Sequence, residues 1–93
     1  MEEKAEMLAE MLKLLANKNR LLIFCALMPG PANVGELARL VPGIKQSALS
    51  QSLSLLKAHG LLSSEKQGQC VQYEIADRRV IEIISVLKRY YCD

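Results

Sequence analysis

The sequence predicts a mainly α fold carrying one β-hairpin. Three observations predict it. Apolar residues recur at helical spacing in five segments separated by Asn, Pro or Gly. Two of these segments are joined by a turn containing Pro42-Gly43. Directly after the second, two short strand-like runs flank Gly68. Two helices across a short Gly-containing turn are the signature of a helix-turn-helix. A hairpin placed directly after one is a wing, so the expected fold is a winged helix-turn-helix.

Residues 3–16 form the first helix. At about 100° per residue its apolar positions, Ala5, Met7, Leu8, Ala9, Met11, Leu12, Leu14, Leu15 and Ala16, cover roughly 220°. One core face needs less. Asn17-Lys18-Asn19 breaks this helix and caps the next. Residues 20–28 are apolar all round, the pattern of a central buried helix, and Pro29-Gly30-Pro31 ends it. Asn33 caps a short helix from Val34 to about Val41, followed by the tight turn at Pro42-Gly43. A helix then runs from Ile44 to Gly60, where glycine suits the left-handed C-terminal position. Leu61–Lys66 and Cys70–Ile75 are the two strands, with Val71, Tyr73 and Ile75 alternating onto one side. Asp77 caps a last helix over about 78–92, which carries Val80, Ile81, Ile83, Ile84, Val86, Leu87, Tyr90 and Tyr91.

The 93 residues are expected to make one domain, 1–93. A chain this short buries a modest share of its surface. Its first and last helices carry more apolar surface than one small core uses. They are therefore expected to pack against their counterparts in a homodimer. No apolar run approaches the roughly 18 residues that span a membrane. Met1-Glu2-Glu3-Lys4 does not open a signal-peptide pattern. Three cysteines, an odd number, read as reduced thiols, and the expected location is cytoplasmic.

Net charge is +2 but unevenly spread. Residues 1–17 set four glutamates against Lys4 and Lys13, giving −2. Residues 18–79 set eight Lys/Arg against four acids, giving +4, and residues 80–93 balance. A dimer would present +8 from its two middles, which favours a polyanion such as DNA.

The helix from Ile44 to Gly60 is the most informative segment. With Ser47 set at 0°, Ser50, Gln51 and Ser54 fall within about 60° of it. Leu49, Leu53 and Leu56 lie on the far side. A helix made only to face water usually carries Glu and Lys outward. This one carries Gln and Ser, with Gln46 in its first turn. Gln can pair in bidentate fashion with adenine, and Ser can bond several base edges or a phosphate. Lys45, Lys57 and Lys66 are candidates for phosphate contacts, which position without specifying. Gln67 and Gln69, at the tip of the wing, are candidates for the minor groove.

From about Leu14 onward the chain resembles the ArsR/SmtB family of bacterial winged-helix repressors. The matching pieces are Leu15 to Leu21 with Arg20, Val34-Gly35-Glu36-Leu37-Ala38, Gln46 to Gln51 with Leu53, Leu56-Lys57 with Gly60-Leu61-Leu62, and Gly68-Gln69 with Val71 and Tyr73. The resemblance implies a homodimer through the first and last helices, a twofold DNA operator, and dissociation when an inducer is sensed. The chain departs from the family's pattern at Lys45, where a capping Ser is usual, at Ser52, where His is common, and at Lys66-Gln67, where Arg is frequent.

The family's metal sites are not matched. Glu36-Leu37-Ala38-Arg39-Leu40 holds no Cys, and the single His, His59, ends a helix where it favours the dipole. No metal site and no cofactor are expected. Cys25 and Cys92 resemble the thiol pair of the family's persulfide- and redox-sensing (BigR-, SqrR- and HlyU-like) branch. The resemblance implies a thiol switch, with reactive sulfur species or an oxidant as inducer. Lys88 and Arg89 precede Cys92, and cationic neighbours favour a thiolate. Cys70, at the base of the wing, reads as a plain strand residue. An arsenite or Cu(I) sensor using these thiols is the alternative. A winged-helix protein-interaction module is the alternative of another class, but it would leave the Ser/Gln face unused. An enzyme is not expected, since no C-x-x-C is present and no nucleophile–His pair can be built around His59.

Overall fold

Two asparagines decide where the chain enters its body. Asn17 is extended and its side chain accepts from the Arg20 backbone N–H at 3.1 Å, so α2 (Lys18–Leu27) starts afresh instead of prolonging α1 (Glu2–Leu15). The Arg20 guanidinium donates back to the Leu14 carbonyl at 3.2 Å, tying the end of α1 to α2. Asn33 opens α3 (Val34–Leu40). Its side chain accepts from Glu36 N–H at 2.8 Å, while Glu36 Oε1 accepts from Asn33 N–H at 2.9 Å. This reciprocal pair satisfies N–H groups that a helix start leaves open.

The computed structural model describes residues 1–91. Beyond α3 come α4 (Gln46–Ala58), the hairpin strands β2 (Leu62–Gln67) and β3 (Cys70–Ile75), and α5 (Arg78–Tyr91). A short strand, β1 (Ala32–Asn33), precedes α3. The sheet is antiparallel in the order β1-β3-β2, with Ala32 opposite Tyr73 and Leu62 opposite Ile75. The fold is thus the expected mainly α arrangement with a hairpin wing, plus a third strand. Two residues are too few to show alternation. The edge of β3 makes β1 a strand, not a pattern of its own.

The core gathers one side of every large helix. Ile23 and Phe24 of α2, Leu37 of α3, Leu49, Leu53 and Leu56 of α4, and Val80 and Ile84 of α5 are at most 1% exposed. Cutting any one leucine of this set to Ala costs about 2–5 kcal/mol.

Two expectations need correction. Helix α2 is not buried all round: Leu22 is 39% exposed and Cys25 only half-buried. The sheet and the other helices cover one side of α2 and leave a groove between it and α5. Helix α4 begins at Gln46, not Ile44. Ile44 instead turns into the core, and its N–H bonds the Val41 carbonyl at 3.1 Å. Burying that side chain stretches the turn to five residues, Val41–Lys45. As its wide apolar arc implied, α1 meets the core by few residues, Met11, Leu14 and Leu15, and its residues before Met11 are all exposed.

Candidate nucleic-acid interface

Helix α4 divides as its spacing requires. Leu49, Leu53 and Leu56 are buried, whereas Gln46, Ser47, Ser50, Gln51, Ser54 and Lys57 are exposed. The side-chain hydrogen bonds among the described residues involve none of these six. Their donors and acceptors therefore point to solvent unspent. The start of α4 is also open. Lys45 is its N-cap, supplies no side-chain cap bond, and no acid lies in the first turn. The positive end of the helix dipole and its free N–H groups suit a phosphate there.

The far end of α4 is closed firmly. Gly60 takes φ +78°, a conformation costly for a residue with a Cβ. Gly60 N–H bonds the Lys57 carbonyl at 3.0 Å and Leu61 N–H bonds Leu56 at 3.0 Å. These two bonds are a Schellman closure, and buried Leu61 seals it against Leu56. The chain continues straight into β2, and Ala76 N–H then bonds the Leu61 carbonyl at 2.9 Å. One residue thus ties the helix to both strands of the wing.

The wing tip turns on Gly68 at φ +64°, the first central residue of a two-residue loop, where glycine is favoured. Lys66, Gln67 and Gln69 stand exposed around it. Cys70 lies opposite Gln67 in the last pair before the turn and is exposed. It therefore belongs to the tip of the wing and not its base, because the loop consumes only Gly68 and Gln69.

Among the described residues the ion pairs are Glu10 with Lys13 at 4.0 Å and Asp77 with Arg79 at 2.7 Å. Lys45, Lys57 and Lys66 thus remain available to phosphates. Asp77 is held below the usual carboxylate range, first by the hydrogen bonds of the Arg79 side chain, against a smaller opposing effect of burial. Its Oδ1 also accepts from Arg79 N–H at 2.9 Å at the start of α5.

The thiols are separated by what can be seen of them. Cys25 lines the α2–α5 groove with Leu87, Lys88 and Tyr91. Cys92, its expected partner, lies outside the described residues. Among those residues no group of three or more His, Cys, Asp or Glu is placed to hold a metal. The groove is the feature that sequence reading missed. Its signal was there, in the all-round apolar run of residues 20–28 within a chain too small to surround it.

An exposed, uncharged polar helix beside a basic-tipped hairpin defines a winged helix-turn-helix DNA-binding protein. Residues 14–92 match the HxlR-like helix-turn-helix family, and the chain belongs to it. The chain is 38% identical over 92 residues to the transcriptional activator HlyU of Vibrio cholerae, covering 99% of this chain and 84% of that protein. A solved structure of HlyU from that species superposes with a TM-score of 0.92 over 100% of both chains. The regulator YgaV of Escherichia coli is 38% identical over 93 residues, 99% of this chain and 93% of that one. The transcriptional repressor BigR of Xylella fastidiosa is 30% identical with a TM-score of 0.90, covering 100% of this chain and 94% of that chain. The protein is a DNA-binding transcription regulator and not an enzyme, as these relatives are. The family shown is HxlR-like, not the ArsR/SmtB family that the motifs suggested. No helix of the described residues is long and apolar enough to cross a membrane.

Proposed function

We propose that the protein is a cytoplasmic repressor, a single domain over residues 1–93. It binds a roughly palindromic operator as a homodimer and is released by thiol chemistry at Cys25 and Cys92. The observation that carries the DNA contact is the split of α4 into buried leucines and an unspent polar face. Gln46, Ser47, Ser50, Gln51 and Ser54 read base edges in the major groove. Lys45, Lys57 and Lys66 hold phosphates, and Gln67 and Gln69 reach the minor groove.

The dimer reading is supported by apolar side chains left outside the core. Met7 is 62% exposed on α1, and Tyr90 is 72% exposed on α5, with Leu8, Leu12 and Val86 exposed beside them. The thiol switch is supported by Cys25 sharing its groove with the last turn of α5, which leads to Cys92. It is also supported by HlyU and BigR, to whose branch the cysteine placement was likened, standing among the relatives. With hydrogen peroxide, one thiolate takes an oxygen as hydroxide leaves. The second thiol then closes the disulfide with loss of water. With hydrogen polysulfide, the first thiolate attacks an S–S bond and expels a shorter hydropolysulfide, becoming a persulfide or hydropolysulfide; the second thiolate then attacks its chain and expels hydrosulfide, leaving a disulfide or, from the hydropolysulfide, a link that keeps one sulfur.

Mass spectrometry after exposure to hydrogen polysulfide and, separately, to peroxide tests the switch. A Cys25–Cys92 link, with or without added sulfur, is expected. Unmodified thiols that retain arsenite would instead favour a thiolate metalloid sensor.

A further inference from the structure

Strands β2 and β3 hold one cation, Lys66, against two acids, Glu65 and Glu74. A hairpin expected to touch a polyanion is thus itself net negative, at −1. The pairing of the strands accounts for this. Residues opposite one another share a face of a sheet, and successive residues alternate between faces. Leu62 lies opposite Ile75, Ser64 opposite Tyr73, and Lys66 opposite Val71. This is the face laid on the body, because Leu62 is buried and Tyr73 and Ile75 pack against the core. Ser63 opposite Glu74 and Glu65 opposite Gln72 belong to the outer face. There both acids line one shallow hollow with Ser63, Gln72 and Pro31. Both are exposed, and neither is ion-paired or hydrogen-bonded through its side chain among the described residues. The wing therefore carries its cation beside exposed Val71 on the body side and two uncompensated negative charges on the other.

We infer that Glu65 and Glu74 determine specificity by repulsion: they bar the outer face of the wing from phosphates, so that the wing settles on DNA by its Lys66–Val71 face. In the matched complex the two carboxylates are turned away from the duplex and weaken it little. A nonspecific complex samples many poses under electrostatic attraction alone. In poses that bring the outer face to the backbone, the carboxylates meet phosphates and are repelled. Specificity is a difference of affinities, and a like charge that penalises only the wrong poses widens it. The matched-complex half of this inference rests on the proposed function. The repulsion itself needs only that the protein bind DNA.

Filter-binding titrations at low salt, where screening is weakest, test it with the full chain. Two duplexes are compared, one of random sequence and one that the parent selects from a random pool. Glu65→Gln with Glu74→Gln is expected to tighten binding to the random duplex by about threefold or more, and to the selected duplex by less than about twofold. Glu2→Gln with Glu3→Gln changes net charge equally on exposed positions of α1. That pair is expected to move either affinity by less than about twofold. Equal tightening by the two pairs overturns the inference, since net charge alone would then be at work. So does equal tightening on both duplexes, or none on the random one. If the parent selects no duplex, the operator reading of the proposed function fails, and the random-duplex comparison still decides the repulsion. A second readout uses Cys70 and Val71, successive residues on opposite faces of β3. Bound duplex is expected to slow iodoacetamide alkylation at Val71→Cys, in a Cys70→Ser chain, by about fivefold or more. Alkylation of Cys70 in the parent should be slowed clearly less. Equal protection of the two, or greater protection of Cys70, overturns the assigned face.

Discussion

At the residue scale, Lys45 and Asp77 show opposite uses of a helix start. Asp77 caps α5 conventionally, its carboxylate bonded to the Arg79 N–H and guanidinium. Because Arg79 holds its folded pKa below the ordinary aspartate value of 3.8, its contribution to stability is full above that value and is lost as pH falls through the folded pKa. Asp77→Asn should therefore lower the melting temperature at neutral pH and narrow its gap to the parent below about pH 4, as followed by thermal melts across pH. Lys45 gives no cap at all. Lys45→Ser should raise stability by about 0.5–1 kcal/mol in denaturant titrations. The same change should weaken operator binding and reduce its salt slope by about one per protomer. A cap given up for a cation is what a phosphate-facing helix end would show.

At the element scale, the proposed reading helix α4 and the wing differ in what holds them. Ser50→Ala with Gln51→Ala should leave the melting temperature within about 2 °C of the parent, since both side chains are exposed and unbonded. Specific binding should fall toward the nonspecific level in a gel-shift titration. Undiminished operator affinity would mean that another element reads the bases. Gly68→Ala should cost about 1–2 kcal/mol, because φ +64° is strained for a residue with a Cβ. Most of these elements were legible in the sequence, and α4 most clearly. Its leucine and Ser/Gln faces differ in chemistry as well as in position, so periodicity alone separates them. The start of α4 was not legible, because Ile44 fits a helix pattern and a buried turn equally well. Nor was β1, since Ala32 and Asn33 owe their pairing to a distant strand, which no local pattern records. The tip position of Cys70 depended on a loop one residue shorter than the Gln67-Gly68-Gln69 turn suggested.

At the scale of the whole molecule, the cations proposed to meet phosphates and the large exposed apolar side chains of the end helices lie on different elements. Lys45, Lys57 and Lys66, the proposed phosphate contacts, are exposed and unpaired among the described residues. Taken from two protomers, six phosphate contacts give a slope of log affinity against log salt near about −5, and a flat response in a binding titration would exclude this interface. Exposed Val86 and Tyr90 lie instead along α5. Val86→Glu with Tyr90→Glu should weaken a dimer by about 2 kcal/mol or more, read as a concentration-dependent fall in sedimenting mass. The misreading of α2 as wholly buried belongs to this scale too. Apolar composition says that a surface must be covered, but not whether one chain or another molecule covers it. The double tether at Leu61, which holds the end of α4 and both wing strands together, has a consequence for the DNA itself. Helix and wing behave as a calliper of fixed opening, so the bases under one jaw and the groove under the other must keep a set phase. Each added base pair turns the duplex by about one tenth of a revolution. One inserted inside a half-site should therefore cost far more affinity than one point change there, whereas a whole helical turn inserted between half-sites would leave each calliper's grip intact.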